Sequence, residues 1–194
     1  MLLPDSDIQY HTLVADPPWS YNDKLMSSNT GFSSGRKNSR GAANHYATMP
    51  IKDIIGLRAD TFGDHRVAGF HIADRAHLYL WTTNAFMDES YDVCRAWGFE
   101  PKTILTWVKP QIGMGFYFRN NTEHVLFGVK GSKPVPRLKV KNQPTAFTAR
   151  RGKHSQKPDE FYDIVENCSP GPYVELFARR TRPHWTAWGF EAPQ

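Results

Sequence analysis

Residues Thr12-Leu13-Val14-Ala15 form a short apolar run that stops at Asp16-Pro17-Pro18. Such a run predicts a strand buried inside a sheet. Two consecutive prolines forbid its continuation, because proline has no N–H for a ladder and also restricts the residue before it. The chain is thereby committed, near its start, to a buried strand that ends on a carboxylate and a rigid loop.

The remaining periodicities say what surrounds that strand. Residues 78–83 read as a second strand, and residues 85–97 follow as a helix with Phe86, Tyr91, Val93 and Cys94 at helical spacing, closing at Gly98. Residues 103–108 and 123–129 are two further strand-like runs, and the Gly- and aromatic-containing loop between them predicts a hairpin with a long tip. Lys157-Pro158-Asp159-Glu160 opens a helix that should run to about Cys168: proline suits a first turn, and two carboxylates complement the positive helix end. Residues 173–177 and 186–189 supply two last strands. Alternating strands and helices predict an α/β fold with a largely parallel sheet, within one domain spanning residues 1–194.

Three stretches read as loops too long or too charged for simple connections: 20–44, 110–122 and 130–156. Residues 130–157 carry nine basic side chains and no Asp or Glu, in a chain of formal net charge +5. A polyanionic partner is therefore expected, with Lys109, Arg119, Arg150 and Arg151 as candidate substrate-binding residues and basic groups of the loops taking phosphates. Phe116-Tyr117-Phe118 is open between two readings, aromatics that stack on unpaired bases or a short run packed in the sheet. No stretch of about 18 apolar residues and no basic-then-apolar leader occurs, so no membrane partner and a cytoplasmic location are expected. Cys94 and Cys168 each fall in a predicted helix without a metal-type neighbour, which predicts buried thiols and no metal site.

The chemistry concentrates at Asp16-Pro17-Pro18-Trp19. Open α/β sheets place ligands at the carboxyl ends of their strands. There a carboxylate from Asp16 and a carbonyl from Pro17 or Pro18 can accept both N–H groups of an aromatic amine, whose delocalised lone pair makes it a poor nucleophile until it is drawn toward tetrahedral geometry. Trp19 would add a flat surface for a flipped base.

These residues, together with seven further blocks in order, resemble the methyltransferase-A-seventy family of adenine N6-methyltransferases. The blocks are residues 45–49 (His-Tyr-Ala-Thr-Met), 78–81 (Leu-Tyr-Leu-Trp), 96–99 (Ala-Trp-Gly-Phe), 106–109 (Thr-Trp-Val-Lys), 123–128 (Glu-His-Val-Leu-Phe-Gly), 154–159 (His-Ser-Gln-Lys-Pro-Asp) and 175–179 (Glu-Leu-Phe-Ala-Arg). The resemblance implies a Rossmann-like methyltransferase fold with permuted motif order, the catalytic strand first and the cofactor strand last. It also implies S-adenosyl-L-methionine as cofactor, bound by Asp16, Lys157, Leu176, Phe177, Arg179 and Glu191, with Tyr46 and Trp19 beside the target base. Two positions depart from the family pattern: His184 stands where members usually carry Gly, and Phe190 where they usually carry Asn.

The expected activity is methyl transfer to the N6 amine of adenine in nucleic acid, DNA in preference to RNA, by a monomer or by a homo- or heterodimer. A catalytically silent scaffold that binds nucleic acid or a partner, and methylation of the cytosine N4 amine, are the competing readings.

Overall fold

The computed structural model describes residues 8–20, 48–61, 64–113, 117–132, 138–152 and 156–189. Its first strand, β1 (Tyr10–Ala15), is the predicted one, and it is buried along almost its whole length. It pairs in parallel with β4 (Phe70–Thr82) on one side and with β8 (Tyr173–Leu176) on the other. A strand covered on both faces and both edges leaves no place for polar side chains, which is why its sequence reads as a continuous apolar run.

β4 begins eight residues earlier than its apolar half suggested. The extra residues form a meander with β2 (Arg58–Thr61) and β3 (Asp64–Val67), two strands too charged to be read from hydrophobicity. A two-residue turn at Ala68 and Gly69, with φ of 52° and 85°, joins β3 to β4. Positive φ at both central residues is the geometry that suits the twist of a tight hairpin.

β5 (Glu100–Val108) and β6 (Thr122–Lys130) form the predicted antiparallel hairpin, and a short β7 (Ala146–Thr148) adds to β5 in parallel. With β9 (Trp185–Trp188) beside β8, the main sheet runs β7-β5-β6-β4-β1-β8-β9. Along that path only β6 opposes the others. The architecture is α/β and Rossmann-like, with the first strand of the chain at the centre and the strand after the last helix next to it.

Among the described residues three helices serve this sheet: α1 (Ile51–Ile55), α2 (Met87–Ala96) after a turn of 3-10 helix at Asn84–Phe86, and α3 (Asp159–Cys168). α2 stops where the sequence said it should: Gly98 takes φ of 80°, and the N–H groups of Gly98 and Phe99 close on the carbonyls of Arg95 and Cys94. Two buried clusters fill the two faces. Leu13, Ala15, Leu78, Leu80 and Leu126 pack with Phe86, Val93 and Cys94, whereas Val14, Tyr79, Trp81, Val125 and Phe127 pack with Phe161, Tyr162 and Val165 of α3. Side chains alternate across a strand, so Asp16, two residues beyond Val14, is placed on the α3 face. That parity decides what the carboxylate meets.

Candidate active site at the carboxyl edge of the sheet

β1, β4, β5 and β8 all end at one edge of the sheet, and β6 begins there because it runs the other way. This brings together side chains that are far apart in the chain. Lys157, in the segment leading into α3, places its Nζ 3.0 Å from Oδ1 of Asp16 and 3.0 Å from Oε2 of Glu123. The other Glu123 oxygen accepts from Lys109 at the end of β5. The two ammonium groups also lie over aromatic faces, Lys157 at 4.5 Å from the Trp81 ring centre and Lys109 at 4.7 Å from that of Trp107. Contact with indole is favourable for a cation that has lost part of its hydration.

Burial and neighbouring charge act against each other here. Burial raises the Asp16 carboxyl above its ordinary range, and Lys157 only partly offsets this. Glu123 is subject to the same penalty, but two lysines outweigh it and hold the carboxyl down at about 2. Burial disfavours the charge on Lys157, yet Asp16 and Glu123 together push its pKa up. All four groups of the line Lys109, Glu123, Lys157 and Asp16 thus stand in one electrostatic unit. Deeper in the same face, Glu175 of β8 is buried beneath α3 and accepts a 2.8 Å hydrogen bond from the Tyr162 hydroxyl. Its carboxyl is pushed up to about 7 by burial.

The proline loop is held by backbone bonds. Asp16 N–H donates to the Leu176 carbonyl at 3.3 Å, extending the β1–β8 ladder by one residue, and Met49 N–H donates to the Pro18 carbonyl at 2.8 Å. The Pro17 carbonyl accepts from Trp19 N–H at 2.9 Å. A carbonyl oxygen has two lone pairs, so each proline oxygen keeps one acceptor position.

Trp19 departs from expectation. It was read as a platform for a base, but its indole is only 7 % exposed, stacks on Phe86 with ring centres 5.5 Å apart, and donates to the Trp81 carbonyl at 3.1 Å. It braces the loop against the core, because the apolar pocket under Phe86 offers a large aromatic more than solvent does. Lys109 is a second correction. Expected to bind substrate, it is buried and committed to Glu123, which lies opposite Trp107 in the β5–β6 register. Neither position could be assigned from residue type alone, since burial of a tryptophan or a lysine depends on what the fold sets beside it.

Leu176, the last residue of β8, is fully buried, and just beyond it Phe177 takes the left-handed φ of 62°, its ring meeting Trp188 edge-on at 5.7 Å. Phe177, Arg179 and Arg180 line a narrow crevice with Asp16, Gln156, Lys157, Tyr162 and Glu175. Carboxylates, cations and an aromatic ring facing one space match the chemistry of a sulfonium ligand that also carries an ammonium, a carboxylate and a nucleoside. Within that donor set Lys157 and Arg179 are suited to anionic and hydroxyl oxygens of a ligand such as S-adenosyl-L-methionine, and Asp16 to a cationic group.

Arg150 and Arg151 follow β7 and are exposed at the same edge, where the Ala149 carbonyl accepts from the Trp107 indole at 2.8 Å. Arg119 is exposed on the tip between β5 and β6, beside Tyr117 and Phe118, which are 97 % and 86 % exposed. For Tyr117 and Phe118 the reading as a run packed in the sheet is thereby ruled out. His184 has φ of 66°, a backbone that favours glycine and accounts for glycine as the usual residue there. Tyr46, Glu191 and Phe190, and all of segment 20–44 except Ser20, lie outside the described residues. Glu123, Glu175 and Tyr162 are site residues that the sequence reading does not single out, although Glu123 and Glu175 each open one of the blocks that resemble the family. Among the described residues no helix is long and apolar enough to cross a membrane.

Comparison with known proteins bears on this geometry. The chain is 33 % identical to a Type II methyltransferase, M.MunI, of a Mycoplasma species over 194 residues, covering 95 % of this chain and 78 % of that protein. It is 30 % identical to the human N(6)-adenosine-methyltransferase catalytic subunit METTL3 over 93 % of this chain but 28 % of the relative, and 27 % identical to a Drosophila melanogaster MT-A70-like N(6)-adenosine-methyltransferase over 93 % and 26 %. The chain thus spans about a quarter of the length of these eukaryotic relatives. With residues 10–191 matching the family as a whole and the acidic strand end, the proline loop and the permuted sheet in place, the chain belongs to the MT-A70 family.

Proposed function

We propose that this chain transfers a methyl group from S-adenosyl-L-methionine to the N6 amine of adenine in nucleic acid, with DNA preferred over RNA. The observation that carries the reading is the position of Asp16. Its carboxylate lines a crevice at the ends of the central strand and its neighbour, and the two residues that follow it are prolines with backbone-held carbonyls.

Bound there, the cofactor supplies an electrophilic methyl group. Asp16 and a proline carbonyl accept the two N–H groups of the acceptor, which orients the amine and pulls its lone pair out of the ring plane. Transfer of that methyl group, with the sulfonium leaving as a neutral thioether, would make the acceptor nitrogen positive. A fixed carboxylate stabilises that charge more than it stabilises the neutral amine, so Asp16 lowers the barrier and does not merely tighten binding. The nitrogen then loses a proton, and the burial-raised carboxyl of Asp16 is the nearest acceptor. Lys157 holds Asp16 in place, and Trp19 holds the loop.

The preference for DNA rests on the coverage of the relatives: the match runs over 78 % of the Type II methyltransferase and over 28 % of METTL3. Arg119, Arg150, Arg151 and the aromatic pair Tyr117 and Phe118 would take phosphates and unpaired bases, as a monomer or within a dimer.

The test is nucleoside mass spectrometry of single- and double-stranded DNA and RNA incubated with the protein and isotopically labelled cofactor. The expected product is labelled N6-methyldeoxyadenosine. Label on cytosine N4, or nucleic-acid binding with no label transferred, would overturn the proposal in favour of the cytosine or scaffold reading.

A further inference from the structure

Lys157 sits midway between two carboxylates, 3.0 Å from each, and only one of them belongs to the proline loop. An ammonium shared equally between two anions neutralises neither. Lys109 in turn holds the far oxygen of Glu123, so four side chains from four elements alternate in sign along one line. We propose that Glu123 and Lys109 are a positioning pair: by setting how strongly Glu123 competes for Lys157, they set how much of its negative charge Asp16 keeps for an acceptor amine. This rests on the reading of Asp16 as the group that grips the amine.

The physical need is plain. A carboxylate fully paired with its own lysine is a weak acceptor, and one left bare in a buried site takes up a proton instead. Sharing the lysine gives an intermediate condition, and the strength of the competitor tunes it. The other groups facing Asp16 and Lys157 are Tyr162 of α3, Glu175 of β8, Arg179 and Arg180 after β8, and the Trp81 ring of β4, while Trp107 and His124 lie beside Lys109 and Glu123. Arg180 is engaged by Asp159, and Glu175 by Tyr162, so Glu123 is the anion that contends for the Lys157 ammonium.

The arrangement predicts opposite responses at two residues that do not touch Asp16. Glu123→Gln removes the competitor, so Lys157 turns wholly to Asp16 and makes its carboxyl more acidic. Lys109→Met leaves Glu123 less compensated, draws Lys157 away and makes Asp16 less acidic. The double variant restores a neutral pair and brings Asp16 back toward its starting point.

The experiment follows the Asp16 carboxyl carbon by NMR through a pH titration of the full chain, alongside the acid limb of the pH profile for methyl transfer to an adenine-containing oligonucleotide. The expected shifts are about half a pH unit or more, downward in Glu123→Gln and upward in Lys109→Met. Should the lone buried charge in Glu123→Gln prevent folding, Glu123→Asp, which keeps the charge but shortens the reach to Lys157, is expected to move Asp16 downward in its place. Shifts of the same sign in both single variants, or no shift in variants that melt as the parent does, would overturn the proposal. If the titration moves as expected in a protein that transfers no methyl group, the charge line stands and the methyltransferase reading falls. An unmoved titration in an active enzyme removes the charge line alone.

Discussion

At the scale of single residues, the site is a set of buried charges whose protonation depends on their partners. Replacing Asp16 with alanine removes the carboxylate that faces the crevice, and turnover in the nucleoside assay should fall by about a hundredfold or more. A variant with near-parental turnover would refute the role given to Asp16. Glu175 offers a cleaner thermodynamic reading. Its carboxyl is held up at about 7 in the folded protein against an ordinary value of 4.5, so the folded state keeps a proton that the unfolded chain has released. The stability it contributes is full below about pH 4.5 and is lost as pH rises through 7. Glu175→Gln keeps an oxygen to accept from Tyr162 but cannot ionise. Urea denaturation should therefore show the variant gaining on the parent between pH 5 and pH 8, by on the order of 3 kcal/mol at most. A stability difference that does not change with pH would disprove the retained proton.

At the scale of elements, the loop after β1 owes its shape to two different devices. The prolines stop the strand, which is a covalent constraint, and Trp19 pins the loop to Phe86 and to the Trp81 carbonyl, which is a packing constraint. Trp19→Phe keeps most of the stacking and loses one buried hydrogen bond, for a cost of about 1 kcal/mol. Trp19→Ala also opens a cavity and should cost about 3–5 kcal/mol in chemical denaturation. Equal and small losses for both would mean that the ring is not part of the core. β2, β3 and β7 carry a lesson of their own. Charged or very short, they have no hydrophobic period to read, and they exist because β4 and β5 present an edge to pair with.

At the scale of the whole molecule, exposed Arg119, Arg150 and Arg151 and the aromatic pair Tyr117 and Phe118 lie at the edge where the strands end. Arg150, Arg151 and Arg119 are free of the burial that claims Lys109 and Lys157. Binding of a fluorescent oligonucleotide should weaken steeply with salt. Replacing Arg150 and Arg151 with serine should lower the slope of log affinity against log salt by up to about 1 for each arginine lost. An unchanged slope would place the phosphate path elsewhere on the surface.

Much of this was legible in the residues themselves. The Asp16 loop, the β5–β6 hairpin, the end of α2 at Gly98 and the α/β class follow from local rules: proline without an N–H, glycine at positive φ, and the periods of strand and helix, all of which act over a few residues. What neighbours what across the sheet does not follow from them. That β6 runs against its neighbours puts Glu123 beside Asp16; that Asp16 shares the parity of Val14 puts it under α3 with Lys157 and Glu175. The same lysine letter reads as a substrate contact in sequence and as a buried counter-ion in the fold, because its charge is free or spent according to partners that only long-range packing supplies.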